Sequence, residues 1–126
     1  MSRILVVDDE ANICVLYSEE LADEGYEVVT ATTTAEAIEK LQEGVFDLAV
    51  LDIKLKNESG LDLLQKLVKE RHEMPVILCS AFSCYKDDFS AWLADGYVVK
   101  SGDLTELKQE ISRVLAKKAQ RAKAGL

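Results

Sequence analysis

No stretch of the chain approaches the roughly 20 consecutive apolar residues of a membrane helix, so no span is predicted. No secretory leader is predicted either. Met1-Ser2-Arg3 is followed by only four apolar residues, too few for the core of a signal peptide. These two absences predict a cytoplasmic protein with no membrane partner. Cysteine is scarce: Cys14, Cys79 and Cys84 are odd in number and have no C-x-x-C spacing, which argues against a disulfide framework or a zinc site. Cys79 lies within an apolar run and is expected to behave as a small buried hydrophobe. Positive charge is also in deficit, with 15 Lys and Arg against 23 Asp and Glu and a net charge of −8. That balance argues against a direct grip on nucleic acid and suits a bound cation or a basic partner. The exception is the end of the chain, where Arg113, Lys117, Lys118, Arg121 and Lys123 follow one another with no intervening acid. Cations there complement the dipole of a terminal helix. At 126 residues the chain holds one domain, expected over residues 1–118 with a basic tail at 119–126.

What is present is an alternation of strand and helix signals. After the apolar run Ile4 to Val7, the residues Ile13, Leu16, Tyr17 and Leu21 recur at helical spacing, and Gly25 stops the segment. Glu27 to Ala31 reads as a polar edge strand. Thr33 and Glu36 form a capping box for a second helix with Ile38 and Leu41 on its buried side, closed by Gly44. A third strand ends at Asp52, a polar loop covers Lys54 to Gly60, and Leu61, Leu64, Leu67 and Val68 line a third helix that stops before Pro75. Val76 to Ser80 is a fourth strand, followed by a weaker helix around Phe89, Trp92 and Leu93. Tyr97 to Val99 is a fifth strand. Asp103 and Glu106 cap a last helix with a stripe of Leu104, Leu107, Ile111 and Val114. Five strands and five helices in alternation predict an α/β fold, a parallel sheet covered on both faces. The nearly unbroken apolar strands agree, because strands buried on both sides lose the period-two pattern.

Four of these strands end in a polar group: Asp8-Asp9, Asp52, Ser80 and Lys100. Parallel strands bring their carboxyl ends to one edge, which is where open α/β sheets bind ligands. Three carboxylates crowded there repel one another and raise their pKa values. A hard divalent cation such as Mg2+ relieves that repulsion, and a lysine pairs with an acid or a phosphoryl oxygen. Singly, each residue has an ordinary reading: acids that favour a helix start, a solvated serine, a surface lysine. Their coincidence on four strand ends favours a phosphoryl site.

Ile4 to Glu10, Leu51-Asp52-Ile53 with Gly60 eight residues after the aspartate, Ser80-Ala81, and Tyr97 to Lys100 occur in this order. Over residues 3–118 the chain resembles the receiver domain of bacterial two-component response regulators. The resemblance implies a flavodoxin-like, doubly wound five-stranded parallel sheet of order 2-1-3-4-5 with five helices. It implies that Asp52 is the phosphoacceptor, attacking a phosphohistidine on a sensor histidine kinase or histidine phosphotransfer protein. Asp9, Asp52 and the Lys54 backbone carbonyl would ligate Mg2+, with Asp8 acting through a water. Ser80 and Lys100 would contact phosphoryl oxygens, and Ser80 and Tyr97 would switch the surface of the fourth helix, fifth strand and fifth helix. Such a domain is a phosphoacceptor that assists its own phosphorylation and dephosphorylation rather than an enzyme. It serves as a single-domain regulator or relay member, acting on a target protein or a covalently linked output domain, with a homodimer as a further partner.

The chain departs from the family pattern at several loops. Ser101 stands where the family usually has a proline after a cis bond. A non-proline cis bond costs about 3–4 kcal/mol, so a trans bond is predicted after Lys100. Lys56 also replaces a usual proline. Lys54 and Phe82 lie two residues after Asp52 and Ser80, flanking the path of hydrolytic water in the family, which predicts a long-lived phosphoryl state. The rival readings are a receiver module cut from a larger regulator, an unphosphorylated interaction module, and a small Mg2+-dependent phosphatase. The phosphatase normally carries a second acid two residues after its nucleophile, where this chain has Lys54.

Overall fold

The computed structural model describes residues 2–55, 58–70, 73–81, 93–101 and 103–124. In chain order the elements are β1 (Arg3–Val7), α1 (Ala11–Asp23), β2 (Glu27–Ala31), α2 (Thr34–Glu43), β3 (Leu48–Asp52), β4 (Lys54–Leu55), β5 (Glu58–Ser59), α3 (Gly60–Glu70), β6 (Val76–Ser80), β7 (Gly96–Val99) and α4 (Thr105–Ala124). Five strands form one sheet in the order β2-β1-β3-β6-β7, all neighbours parallel. With the short β4-β5 pair set aside, this is the expected order 2-1-3-4-5 of a flavodoxin-like α/β fold.

Alternate residues of each central strand feed opposite faces. Leu5, Val7, Leu51 and Leu78 pack with Leu41 of α2 and Leu63, Leu64 and Leu67 of α3. Ile4, Val6, Val50 and Ile77 pack with Tyr17 and Leu21 of α1 and with Leu107, Ile111 and Val114 of α4. β3 and β6 are buried at every position, which explains their continuous apolar sequences. Each fully buried Leu or Ile contributes about 1.5–3 kcal/mol, so these two layers fix the strand register and hold the strand ends in place. β2 lies at the sheet edge and is half-exposed, as its polar sequence requires.

Local signals act largely as read. Thr33 Oγ1 accepts the Glu36 N–H at 3.1 Å to cap α2, and Gly25 closes α1 at φ +92°. The expected stripe on the last helix is buried in full. Two differences stand out. On α1 the inward positions are Cys14, Tyr17 and Leu21, while Leu16 is 39% exposed. This helix has more apolar residues than one face can take, and the three-and-four spacing of Cys14, Tyr17 and Leu21 wins. The loop expected from Lys54 to Gly60 contains the antiparallel ribbon of β4 and β5, with Leu55 buried. Strands of two residues carry no readable periodicity. The helix expected around Phe89 and Trp92 lies outside the described residues, which contain four helices; Leu93 beside it is 45% exposed. The last helix, α4, runs to Ala124.

The basic end of α4 is occupied with acids of the same domain. Lys118 Nζ donates to the Asp47 carbonyl at 3.3 Å, Arg113 donates to the Asp95 carbonyl at 3.0 Å, and Arg121 lies 3.9 Å from the Asp95 carboxylate. Asp47 and Asp95 precede β3 and β7, so these contacts lie at the amino ends of the strands, away from Asp52. Exposed pairs of this kind add little stability, but they neutralise much of the local positive charge.

Candidate functional site

The carboxyl ends of β1, β3, β6 and β7 converge as expected. Asp8 follows β1, and its N–H is held by the Ala31 carbonyl at 3.0 Å. Asp52 and Ser80 are the last residues of β3 and β6, and Lys100 follows β7. Asp8, Asp52 and Ser80 are 2%, 7% and 1% exposed, burial that polar side chains tolerate only with partners. Lys100 Nζ supplies one, donating to Asp8 Oδ2 at 2.6 Å and to Asp52 Oδ2 at 3.0 Å. The remaining carboxylate oxygens accept from the main chain: Asp8 Oδ1 from the Glu10 N–H at 2.9 Å, Asp52 Oδ1 from the Lys54 N–H at 3.2 Å. Lys100 is itself pinned, because its N–H donates to the Ser80 carbonyl at 2.6 Å.

A second grouping lies beside the first. Asp8, half-buried Asp9 and exposed Glu10 each present a carboxylate oxygen within 4.8 Å of the others. In the sequence Glu10 belonged to an acid run open to helix capping or metal binding, and it was not among the expected ligands. Glu10 occupies the N-cap position of α1 without a side-chain cap bond, so its carboxylate is not spent on that role. The readable signal was the run of three acids. Asp52 stands outside this trio and joins it through the Lys100 bridge to Asp8. An all-oxygen donor set of this charge fits a hard divalent cation and would not suit a soft metal.

The other expected residues are near but differ in setting. Lys54 has an exposed side chain and offers its N–H to Asp52. Tyr97 is half-buried, packs on the α2–α3 side of the sheet, and is in register with Leu78. Phe82, Lys56 and Cys84 lie outside the described residues. No cis peptide bond occurs among the described residues, so Lys100–Ser101 is trans as expected. Cys79 is buried as expected, and its sulfur lies 3.5 Å from the Tyr17 hydroxyl, a polar pair inside the core.

Gly60 owes its place to a close approach. Its N–H donates to the Ile53 carbonyl at 2.7 Å, and a Cβ at this position would overlap the Asp52 carbonyl oxygen. Only glycine lets the start of α3 lie directly against the main chain of Asp52.

Burial pushes the Asp52 carboxyl above the ordinary carboxylate range; Lys100 pulls it back, and the charge of Asp8 adds to the rise. Burial alone would lower the Lys100 ammonium, but its bonds to Asp8 and Asp52 outweigh that and hold it above its usual value. A raised Asp52 favours the folded state fully below the ordinary carboxyl range and loses that contribution as pH climbs through the raised value. The ionised side chain is then a net cost at neutral pH. Asp52→Asn is therefore expected to raise the melting temperature of the metal-free protein at pH 7, with the gain shrinking toward pH 4. A melting series from pH 4 to 7 in chelator checks this, and a gain that is absent or independent of pH contradicts it.

The family model for the response regulator receiver domain matches residues 4–112. Among solved structures, the response regulator TrrA of Thermotoga maritima in complex with Mg2+-BeF is 46% identical. The match covers 90% of this chain and 99% of that one, with a TM-score of 0.87. TrrA in complex with the histidine kinase ThkA matches at the same identity with a TM-score of 0.85, over 91% of this chain and 99% of that one. The alginate biosynthesis regulator AlgB of Pseudomonas putida is 38% identical over 116 residues, 90% of this chain and 26% of AlgB. The response regulator ArlR of Staphylococcus aureus is 31% identical over 123 residues, 96% of this chain and 56% of ArlR. The chain thus spans about half the length, or less, of these curated relatives.

Proposed function

We propose that this chain, which belongs to the response regulator receiver domain family, accepts a phosphoryl group onto Asp52 in a Mg2+-dependent reaction with a partner phosphohistidine. The observation that carries the proposal is the buried bridge from Asp8 through Lys100 to Asp52, beside the acid trio. A receiver is a phosphoacceptor rather than an enzyme. The Asp52 carboxylate oxygen forms a bond to phosphorus as the phosphorus–nitrogen bond to the histidine breaks, and the imidazole leaves with its electron pair. The task of the protein is alignment and charge neutralisation rather than proton transfer.

Asp9, Asp52 and the Lys54 carbonyl would hold Mg2+, with Asp8 through a water and Glu10 within reach; when bound, the ion neutralises phosphoryl oxygens. Lys100, already between two acids, would exchange one of them for a phosphoryl oxygen. The Ser80 hydroxyl would donate to another, drawing in the chain that follows β6. Tyr97, on the strand beside Ser80, is the residue whose packing would transmit the change to the surface around β7 and α4. Such a switch adds charge at one point and moves a packed element.

TrrA was crystallised with Mg2+-BeF and with the kinase ThkA, which supports Mg2+ and a sensor histidine kinase or histidine phosphotransfer protein as the partners here. On α1, Val15 is 56% exposed and borders a groove of about 390 Å3 lined also by Ala11, Cys14, Ser18, Glu19 and Thr30, a mixed apolar and polar place for a partner helix to rest. The match over 99% of the solved TrrA chain favours output to a separate target or through a homodimer. The greater lengths of AlgB and ArlR favour a second reading, output through a covalently linked domain. The receiver unit is assigned to residues 1–118, with 119–126 as a basic extension. Among the described residues no helix is long and apolar enough to cross a membrane.

Intact mass after incubation with phosphoramidate tests the reading: one phosphoryl group is gained with Mg2+ and none in chelator. A gain independent of the metal, or none at saturating donor, defeats it. Lifetime supplies a further expectation. Lys54 is an exposed cation two residues after Asp52, and its side chain would lie across the approach of hydrolytic water. Lys54→Ala is expected to shorten the phosphoryl half-life several-fold, and Phe82→Ala to act in the same direction. Half-lives equal to that of the parent protein would remove the shielding role.

A further inference from the structure

Lys100 has to keep its ammonium between two buried acids at the point where the main chain leaves the sheet. On the sheet side it is anchored by the bond from its N–H to the Ser80 carbonyl. On the other side, Ser101 and Asp103 are both exposed and contribute nothing to the core. Their side chains are nonetheless engaged in one continuous series. Ser101 Oγ accepts the Asp103 N–H at 3.1 Å. Asp103 Oδ1 accepts the Thr105 N–H at 2.9 Å and the Thr105 hydroxyl at 2.6 Å. These bonds hold the Asp103 carboxyl below the usual carboxylate range, so it is a charged acceptor at neutral pH. Thr105 opens α4, and that helix is seated by Leu104 and Leu107, 5% and 1% exposed. The series therefore runs from the residue after Lys100 to an element fixed in the core.

We propose that Ser101 and Asp103 are positioning residues for Lys100, which tie the turn after β7 to α4 and so fix the ammonium between Asp8 and Asp52. The inference rests on the role proposed above for Lys100 in phosphoryl transfer. Neither residue touches the phosphoryl group; both act through the main chain of Lys100. A turn without these bonds leaves Lys100 held on one side only. Its long side chain then samples other rotamers, and the entropy of ordering it falls on the reaction.

The test uses the full chain labelled with 15N-lysine. Two quantities are read: the rate of Mg2+-dependent phosphorylation by phosphoramidate, and the Lys100 ammonium resonance, assigned by its loss in Lys100→Met. Ser101→Ala and Asp103→Ala are each expected to slow phosphorylation by about three- to tenfold and to shift or broaden the ammonium signal, an effect size appropriate to loss of alignment rather than of a reacting group. Ser101→Thr and Asp103→Asn retain the acceptor oxygens and should restore both readouts. Thr33→Ala removes a comparable cap from α2, far from Lys100, and should lower the melting temperature without changing either quantity. The proposal is overturned if the alanine variants match the parent, if the rate falls with the ammonium signal unchanged, or if Thr33→Ala produces the same changes. If the parent chain takes no phosphoryl group at all, the functional reading fails, while the ammonium resonance still decides the positioning.

Discussion

Lys100→Met is expected to destabilise the protein by about 3 kcal/mol at pH 7 without Mg2+, because removing one partner leaves buried charges uncompensated. The methylene stem of Lys is matched by Met, so the loss comes from the charge. Asp8 and Asp52 have side chains only 3% and 8% exposed, and both pair with this ammonium. With its pKa held above the usual value, Lys100 contributes fully at neutral pH. That contribution is lost only as pH rises from the ordinary lysine range through the elevated value. The contrast with Asp52→Asn, expected to stabilise, is the signature of a site with more negative charge than its protein groups neutralise. Urea unfolding at pH 7 measures the loss, and Mg2+ should restore part of it in the variant. Phosphorylation by phosphoramidate should also slow by about a hundredfold, the usual scale for losing one group that stabilises transition-state charge. Parent-like stability in chelator would mean that the bridge does not exist in solution.

Gly60→Ala is the second large effect, expected to cost about 2–3 kcal/mol, the upper part of the range for forcing an extra methyl into packed structure. The added Cβ would overlap the Asp52 carbonyl oxygen and lie 2.8 Å from the Asp52 carbonyl carbon and 2.9 Å from Ile53 Cα. All three are main-chain atoms, so no side chain can swing aside. Relief requires α3 to move off, which breaks the bond from the Gly60 N–H to Ile53, or the end of β3 to bend, which displaces the Asp52 carboxylate. Phosphoryl uptake should therefore fall along with stability. Gly25→Ala provides the comparison. Its φ of +92° makes a side chain unfavourable, but nothing lies within 4 Å of the added carbon. It is expected to cost about 1 kcal/mol from backbone strain alone and to leave phosphorylation unchanged. Equal effects of the two substitutions on uptake would contradict the steric account of Gly60.

The sheet and the ends of its strands were legible in the sequence because both depend on strong local signals. Short continuous apolar runs such as Leu48 to Leu51, alternating with helical patterns, fit strands covered on both faces, and a polar group directly after such a strand emerges at a sheet edge. Order 2-1-3-4-5 was not contained in those runs; it came with the family resemblance. What escaped reading depends on tertiary contact. Cys14 displaced Leu16 from the inner face of α1 because packing chose among several apolar stripes. The ribbon of Lys54–Leu55 with Glu58–Ser59 is too short for any period. Glu10 was left out of the expected ligand set, since its approach to Asp8 and Asp9 depends on the geometry of one turn. Ser101 appeared only as a departure from the family, because its bond to the Asp103 N–H exists only in the folded turn. The four strand ends carried the chemistry in plain sight, while the loops beyond them hold it in position.

The central claim is that Asp52 carries the phosphoryl group, and an acyl phosphate can be fixed chemically where it forms. Borohydride reduces an aspartyl phosphate to homoserine, releasing phosphate, and leaves a free carboxylate untouched. The chain, phosphorylated by phosphoramidate in Mg2+, reduced and digested, is predicted to yield homoserine at position 52 and at no other aspartate. No homoserine should form in chelator. Homoserine at Asp8 or Asp9, or an unmodified Asp52 in a chain that has gained phosphoryl mass, would contradict the account.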